Sequence, residues 1–273
     1  MIETILVATD GSEAAAFAER FGVSLAKRLQ ARLSGITVIE ERDVRTPSDA
    51  GLGVSGFPEA EVAAYYRARA DASARRFGDR ARADGIESRC ETVTGAADER
   101  IVEKAQTTDI SVIGREGKGA DWRSGLIGST ADGVLRRTAR STLVVPRDAG
   151  TSGPIVVGFD GSPGSRIAAR LAVALASGLG EPVHVFVDSK DKGRAVARFE
   201  EVRQLVGGLS VPVRENSSTL GRPEVKIVDT AREAGASLIV MGAYGRNRIT
   251  EYFLGSNAAS VVRTSPVAVL LAR

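Results

Sequence analysis

Ile5-Leu6-Val7-Ala8-Thr9-Asp10-Gly11-Ser12 returns 150 residues later as Ile155-Val156-Val157-Gly158-Phe159-Asp160-Gly161-Ser162. Each copy is a short apolar run that breaks into Asp-Gly-Ser, the pattern of a buried strand ending in a turn. Three further segments recur in the same order. Residues 95–114 (GAADERIVEKAQTTDISVIG) match 221–242 (GRPEVKIVDTAREAGASLIVMG), and Ile127-Gly128-Ser129 matches Leu254-Gly255-Ser256. The apolar run at 141–145 matches that at 267–271. Four matches in one order mark an internal duplication. The polar, glycine-rich stretch 147–154 reads as a linker, which gives a first domain over 1–147 and a second over 153–273.

Within each copy, short β-branched runs alternate with helical patterns. The first copy predicts strands at 4–9, 34–39, 88–93, 110–113 and 142–145, and the second at 154–159, 182–187, 211–215, 237–241 and 267–271. Helices are expected over 13–29, 58–83, 98–106 and 129–137, then 165–179, 190–206, 224–234 and 257–263. The strands are expected to be apolar throughout, as when helices cover both faces of a parallel sheet. The fold class is therefore α/β, with two doubly wound, Rossmann-like domains of five parallel strands each. Such folds bind ligands outside the carboxyl ends of the strands, where strand order reverses.

Composition removes several function classes. Hydrophobic residues make up 43% and charged residues 26% of 273 residues, an ordinary globular balance. Aromatics at 5% argue against a stacking platform for single-stranded nucleic acid. Net charge is +3 with no block of five like charges, so neither nucleic acid nor a membrane surface is an expected partner. One cysteine, Cys90, allows no intrachain disulfide or thiolate cage, and one histidine, His184, allows no multi-histidine metal site. Cys90 reads as a small core side chain and His184 as a structural one. The N-terminus lacks the basic region of a signal peptide, and no apolar run reaches the ~20 residues of a membrane span. The expectation is a cytoplasmic protein.

The chemistry lies at strand ends. The fourth strand of the second copy runs into Met241-Gly242-Ala243-Tyr244-Gly245, and nine residues later Gly255-Ser256 opens the last helix. Glycines at a strand end let backbone approach an anion without an intervening Cβ. A Gly-Ser helix start adds free N–H groups, a hydroxyl and the positive end of the helix. Asp160, at the end of the first strand of this copy, can accept hydrogen bonds from a ribose or a base.

Gly242-x2-Gly245-x9-Gly255-Ser256, after an early Val-x-x-Asp-Gly-Ser, resembles the ATP-binding pattern of the universal stress protein family, and the resemblance covers nearly the whole chain twice. It implies an adenine-nucleotide-binding regulator of stress responses, with little or no hydrolysis and ATP, alone or with Mg²⁺, as cofactor. It also implies an intrachain pseudo-dimer of the two domains, leaves a homodimer open, and names no protein partner. By position, Gly242, Gly245, Gly255 and Ser256 would hold ribose and phosphates, with the Asn257 N–H beside them. Met241 and Arg246 flank these glycines. Asp160 would sit by the adenosine, and Phe186 and Val187 along the adenine, Phe186 replacing a smaller aliphatic common there. The matching positions of the first copy are Asp10, Val38, Gly114, Gly117, Gly128, Ser129 and Thr130.

The first copy departs from this pattern. Ten residues separate Gly117 from Gly128, and its loop carries Lys118, Gly119, Asp121 and Trp122. A surplus residue and a carboxylate facing phosphates make the second copy the tighter site by expectation. Gly51-Leu52-Gly53-Val54-Ser55-Gly56 spells a dinucleotide fingerprint but lacks the preceding strand and the immediate helix, so it reads as a loop over the nucleotide site. Two other functions stay open. One is a slow Mg²⁺-dependent ATPase, for which only Asp10 or Asp160 offers a water-orienting group. The other is a nucleotide-free adaptor for protein partners.

Overall fold

The structure is a computed structural model that describes residues 2–41, 59–117, 127–189, 191–207, 213–218, 222–244 and 254–273. The 51–56 glycine motif, Asp121 and its neighbours, and Gly245 and Arg246 lie outside the described residues.

The first half runs β1 (Thr4–Ala8), α1 (Glu13–Leu29), β2 (Arg32–Glu40), α2 (Glu59–Ala83), β3 (Ser88–Gly95), α3 (Ala97–Ala105), β4 (Ile110–Gly114), α4 (Ser129–Arg137) and β5 (Ser141–Val145). The second runs β6 (Ile155–Phe159), α5 (Pro163–Leu179), β7 (Val183–Asp188), α6 (Lys192–Val206), β8 (Val213–Ser218), α7 (Pro223–Glu233), β9 (Leu238–Gly242), α8 (Ser256–Thr264) and β10 (Ala268–Ala272). The ten strands form one sheet in the order β3-β2-β1-β4-β5-β10-β9-β6-β7-β8. Pairing is parallel within each half. At the centre β10 runs antiparallel to β5, with Leu270 opposite Leu143. Strand order reverses between β1 and β4 and again between β9 and β6. Because the halves run in opposite directions, these two switch points open at opposite ends of the sheet.

The Asp-Gly-Ser repeats are strand-to-helix turns. Gly11 and Gly161 adopt φ of +71° and +76°, a region that L side chains avoid. The Asp10 and Asp160 carboxylates each accept the N–H of the serine two residues on, both at 2.9 Å. That serine then caps the helix: Ser12 Oγ accepts from Ala15 N and Ser162 Oγ from Ser165 N. Proline fits at the first turn of α5 because its missing N–H has no intrahelical partner there. This is why α5 begins at Pro163, two residues earlier than the apolar pattern suggests.

One core lies beneath α1, α2, α5 and α6, and the other beneath α3, α4, α7 and α8; both run across the boundary between the halves. Phe77 of α2 is fully buried, worth roughly 1.5–3 kcal/mol. It lies over Gly35 of β2, where a Cβ would stand 2.7 Å from its ring. The expectation of uniformly apolar strands needs correction at the sheet edges. β3 (SRCETVTG) is half-buried or exposed along its length, with only its last residue, Gly95, buried, and β8 reads VRENSS. Edge strands are only half covered, and polar edges also discourage pairing with another chain.

Arginines tie the halves together. Arg28 of α1 donates to the carbonyls of Thr151 and Leu179 and pairs with Glu181 at 2.5 Å. Arg115, just beyond β4, donates to the carbonyls of Ser265 (2.6 Å) and Arg263 (3.3 Å) at the end of α8. Reciprocally, Arg273 beyond β10 donates to the carbonyls of Thr138 and Leu135 at the end of α4, and to the Tyr244 hydroxyl. Cations at helix C-termini satisfy orphan carbonyls and oppose the helix dipole.

Candidate nucleotide site

The site is built where β1 and β4 diverge. Asp10 follows β1, and its Oδ2 lies 3.8 Å from the position a Cβ would take at Gly117. A Cβ at Gly128 would come 3.4 Å from both the Gly117 amide nitrogen and the Arg115 carbonyl oxygen. The Gly128 N–H donates to that carbonyl at 2.8 Å, which docks the first turn of α4 on the end of β4. Asp10, Gly117, Gly128, Ser129 and Thr130 thus converge at one sheet end. Gly128 caps α4 with extended backbone and no side-chain acceptor, unlike the serine caps of α1 and α5. The first N–H groups of such a helix have no intrahelical partner and favour an anion. Ser129 is exposed and Thr130 half-buried at this end.

The second half repeats the arrangement. Gly255 caps α8 with no side-chain hydrogen bond, and its N–H donates to the Ala243 carbonyl at 3.0 Å. Ser256 and Asn257 are exposed in the first turn, and Asp160 stands at the end of β6. Gly242 ends β9, with Met241 half-buried before it. A Cβ on Gly242 would stand 2.7 Å from the Gly164 carbonyl carbon, so its missing side chain lets β9 meet α5. Its counterpart Gly114 would meet the Glu116 carbonyl oxygen at 3.0 Å and that of Ala14 at 3.6 Å. These two glycines therefore have a packing role that sequence reasoning missed. Phe186 is 4% exposed and belongs to the core beneath α7 and α8, and Val187 is buried in the opposite core.

A shallow, open cleft with room for about one water molecule adjoins Asp10 in the first half. Asp10, Val38 and Glu40 line its sheet side, and Tyr66, Arg69 and Ser73 of α2 its helix side. Sequence reasoning named Asp10 and Val38 but none of the α2 residues. Their only signal was helical spacing on one face. The base of α2 is fixed by Arg76, whose Nη2 donates to the Gly11 carbonyl at 2.8 Å, and by Arg80, paired at 3.0 Å with buried Glu19. Glu19 also accepts the Thr9 hydroxyl at 2.5 Å. Beside the cradle, Arg115 pairs with Glu116 at 2.6 Å, both largely buried.

Neither lone titratable candidate belongs to this site. Cys90 lies on edge strand β3, where burial first, and then Glu19 and Glu91, push its thiol up to about 12. His184 is buried within β7. Among the described residues no group of three or more His, Cys, Asp or Glu side chains could hold a metal ion, and no helix is long and apolar enough to cross a membrane.

The fold and both switch points define a tandem doubly wound α/β protein with a glycine-capped helix start at each topological reversal. The universal stress protein family matches residues 1–146 and again 152–273, so the chain belongs to that family in two tandem copies. A universal stress protein of Mycobacterium tuberculosis (strain H37Rv) is 31% identical over 194 residues, covering 63% of this chain and 64% of that protein. This chain thus spans under two thirds of that relative's length. One from Thermus aquaticus is 34% identical over 133 residues, covering 44% of this chain and 97% of that protein. The crystal structure of a universal stress protein from Archaeoglobus fulgidus superposes with a TM-score of 0.78 over 99% of this chain and 98% of that one. At 21% identity, that likeness concerns the fold alone.

Proposed function

We propose that the chain binds an adenine nucleotide, ATP, at its switch points and acts as a cytoplasmic stress-response regulator with little or no hydrolysis. The observation that carries this reading is the first-half cradle, where Asp10 faces Gly117 and the uncapped start of α4. The N–H groups of Ser129 and Thr130 would receive phosphate oxygens, Asp10 would accept from the ribose, and Val38 would flank the adenine. In the second half Gly255, Ser256 and Asn257 would take the phosphates and Asp160 the ribose, with Gly245 and Arg246 completing the loop. Binding without turnover fits the site better than catalysis. Asp10 already accepts the Ser12 N–H, and hydrolysis needs an oriented water and charge stabilisation as well. Mg²⁺, where present, would be held chiefly by the phosphates.

On this reading the halves form an intrachain pair joined through β5 and β10, and two chains can associate further as a homodimer. The test is to denature the purified chain, identify any released small molecule by mass, and titrate the stripped chain with ATP by calorimetry. A Gly117→Val, Gly255→Val double variant should lose binding. Retention of parental affinity by that variant, or failure of the parent to bind ATP, would overturn the reading and favour a nucleotide-free adaptor.

A further inference from the structure

The two halves differ most at α2. Arg76 of α2 and Arg198 of α6 hold matching places, since each is the helix arginine that a Cβ on the turn glycine, Gly11 or Gly161, would approach. Measured from them, α2 starts seventeen residues earlier and α6 only six. The surplus of eleven residues is about three helical turns, or roughly 16 Å. It carries Tyr66 and Arg69, which share one helix face with Ala70 and Ser73 by their three- and four-residue spacing, and all four line the cleft beside Asp10 and Val38. The matching second-half positions, 188 and 191, precede α6.

We propose that Tyr66 and Arg69 are specificity-determining residues that read the nucleotide base in the first half, favouring a purine. This rests on the nucleotide-binding reading above and adds to it where selectivity resides. The cleft is shallow and open, so a flat heterocycle would lie across its mouth against the lining side chains. Val38 and Ala70 supply apolar wall, Tyr66 supplies a half-buried ring, and Arg69 supplies a planar cation able to lie against a π face. Tyr65 meets the Tyr66 ring edge-on, with centroids 5.4 Å apart and planes at 77°. The Arg76 and Arg80 anchors and buried Phe77 hold the helix that presents these groups. A larger ring system gains more from such a wall, so purines should exceed pyrimidines. Among the described residues of the second half no helix face stands in the matching place, so that half should bind with less regard for the base.

The test uses the full chain carrying Gly255→Val, which leaves only the first-half site. It is titrated with ATP, GTP, CTP and inorganic tripolyphosphate. Removing an aromatic base contact weakens nucleotide binding by roughly ten- to a hundredfold. Tyr66→Ala should therefore cut ATP and GTP affinity by about that factor, bring ATP close to CTP, and leave tripolyphosphate unchanged. Tyr66→Phe should keep the purine preference, and Arg69→Ala should show a smaller loss of the same kind. An unchanged ATP-to-CTP ratio in both alanine variants, with ATP still bound, refutes the inference and spares the functional reading. Equal loss of ATP and tripolyphosphate also refutes it, because the base is then not what Tyr66 senses. Absence of ATP binding in the Gly255→Val chain and in the parent sinks the functional reading itself.

Discussion

Gly242 and Gly117 look equivalent in a glycine motif, yet alanine should affect them in opposite ways. At Gly242 a Cβ would lie 2.7 Å from the Gly164 carbonyl carbon and 3.1 Å from both its Cα and oxygen. Carbon atoms prefer separations of about 3.5–4.0 Å, so β9 and the start of α5 would have to part by close to 1 Å. Both contacting groups are backbone, held in a central strand and a capped helix, so neither can swing aside. Overpacking of this kind costs about 1–3 kcal/mol. Alanine returns about 0.4–1 kcal/mol by restricting the unfolded chain. The net loss for Gly242→Ala is then about 1–2 kcal/mol, a fall in melting temperature of about 3–6 °C. At Gly117 the added methyl would find, among the described residues, only Asp10 Oδ2 within 4 Å, at 3.8 Å. Gly117→Ala should therefore melt within about 0.5 kcal/mol of the parent, while losing ATP affinity because the methyl lies between Asp10 and the cradle. Thermal melts by circular dichroism, paired with ATP titration, read both effects. Parental melting of Gly242→Ala would refute the argument that backbone contact with α5 is why glycine stands there.

Three further outcomes follow from the same contacts. Arg115→Ala strips α8 of its carbonyl partner and leaves largely buried Glu116 unpaired, so urea unfolding should register a loss of about 3–5 kcal/mol. Arg115→Ala, Glu116→Ala should recover part of it, and a double variant no better than the single would show the pair to be uncoupled. Cys90, half-buried and with its thiol pushed up to about 12 from 9.0, should alkylate at pH 8 tens of times more slowly (on the order of 50-fold) in the native chain than in urea, and equal rates would contradict the raised pKa. Asp109 experiences burial that opposes ionisation, but the N–H groups of Glu3 and Thr4 and the Thr4 hydroxyl prevail and hold its carboxyl below the usual range. Its stabilisation is present above the unfolded carboxylate range and is lost as pH falls through the depressed folded value. Asp109→Asn should thus melt below the parent at pH 7 and converge with it at low pH, and a gap that persists in acid would contradict the assignment.

Local patterns determined much of this protein. Apolar strand runs, helical periodicity and the Asp-Gly-Ser repeat depend on residues within a few positions of one another. They therefore revealed the duplication, the α/β class and most of the elements, α1 and α4 to the residue. They also identified Asp10, Gly117, Gly128 and Ser129 as neighbours, because a doubly wound fold brings strand ends and helix starts to one place. Contacts between distant segments stayed hidden. Gly242 meets Gly164 only after β9 packs against α5, so its packing role is invisible in a motif that also suits phosphate. Phe186 turns into the core because strand register and sheet face, not proximity to a strand end, decide which way a side chain points. β3 and β8 depart from apolar runs because sheet order alone decides which strands are edges. The antiparallel join of β5 and β10, and the reach of Tyr66 and Arg69 beside Asp10, arise from how whole elements stack. That stacking was decided by the burial of two cores shared between the halves, a property of the assembled chain that no local stretch of sequence contains.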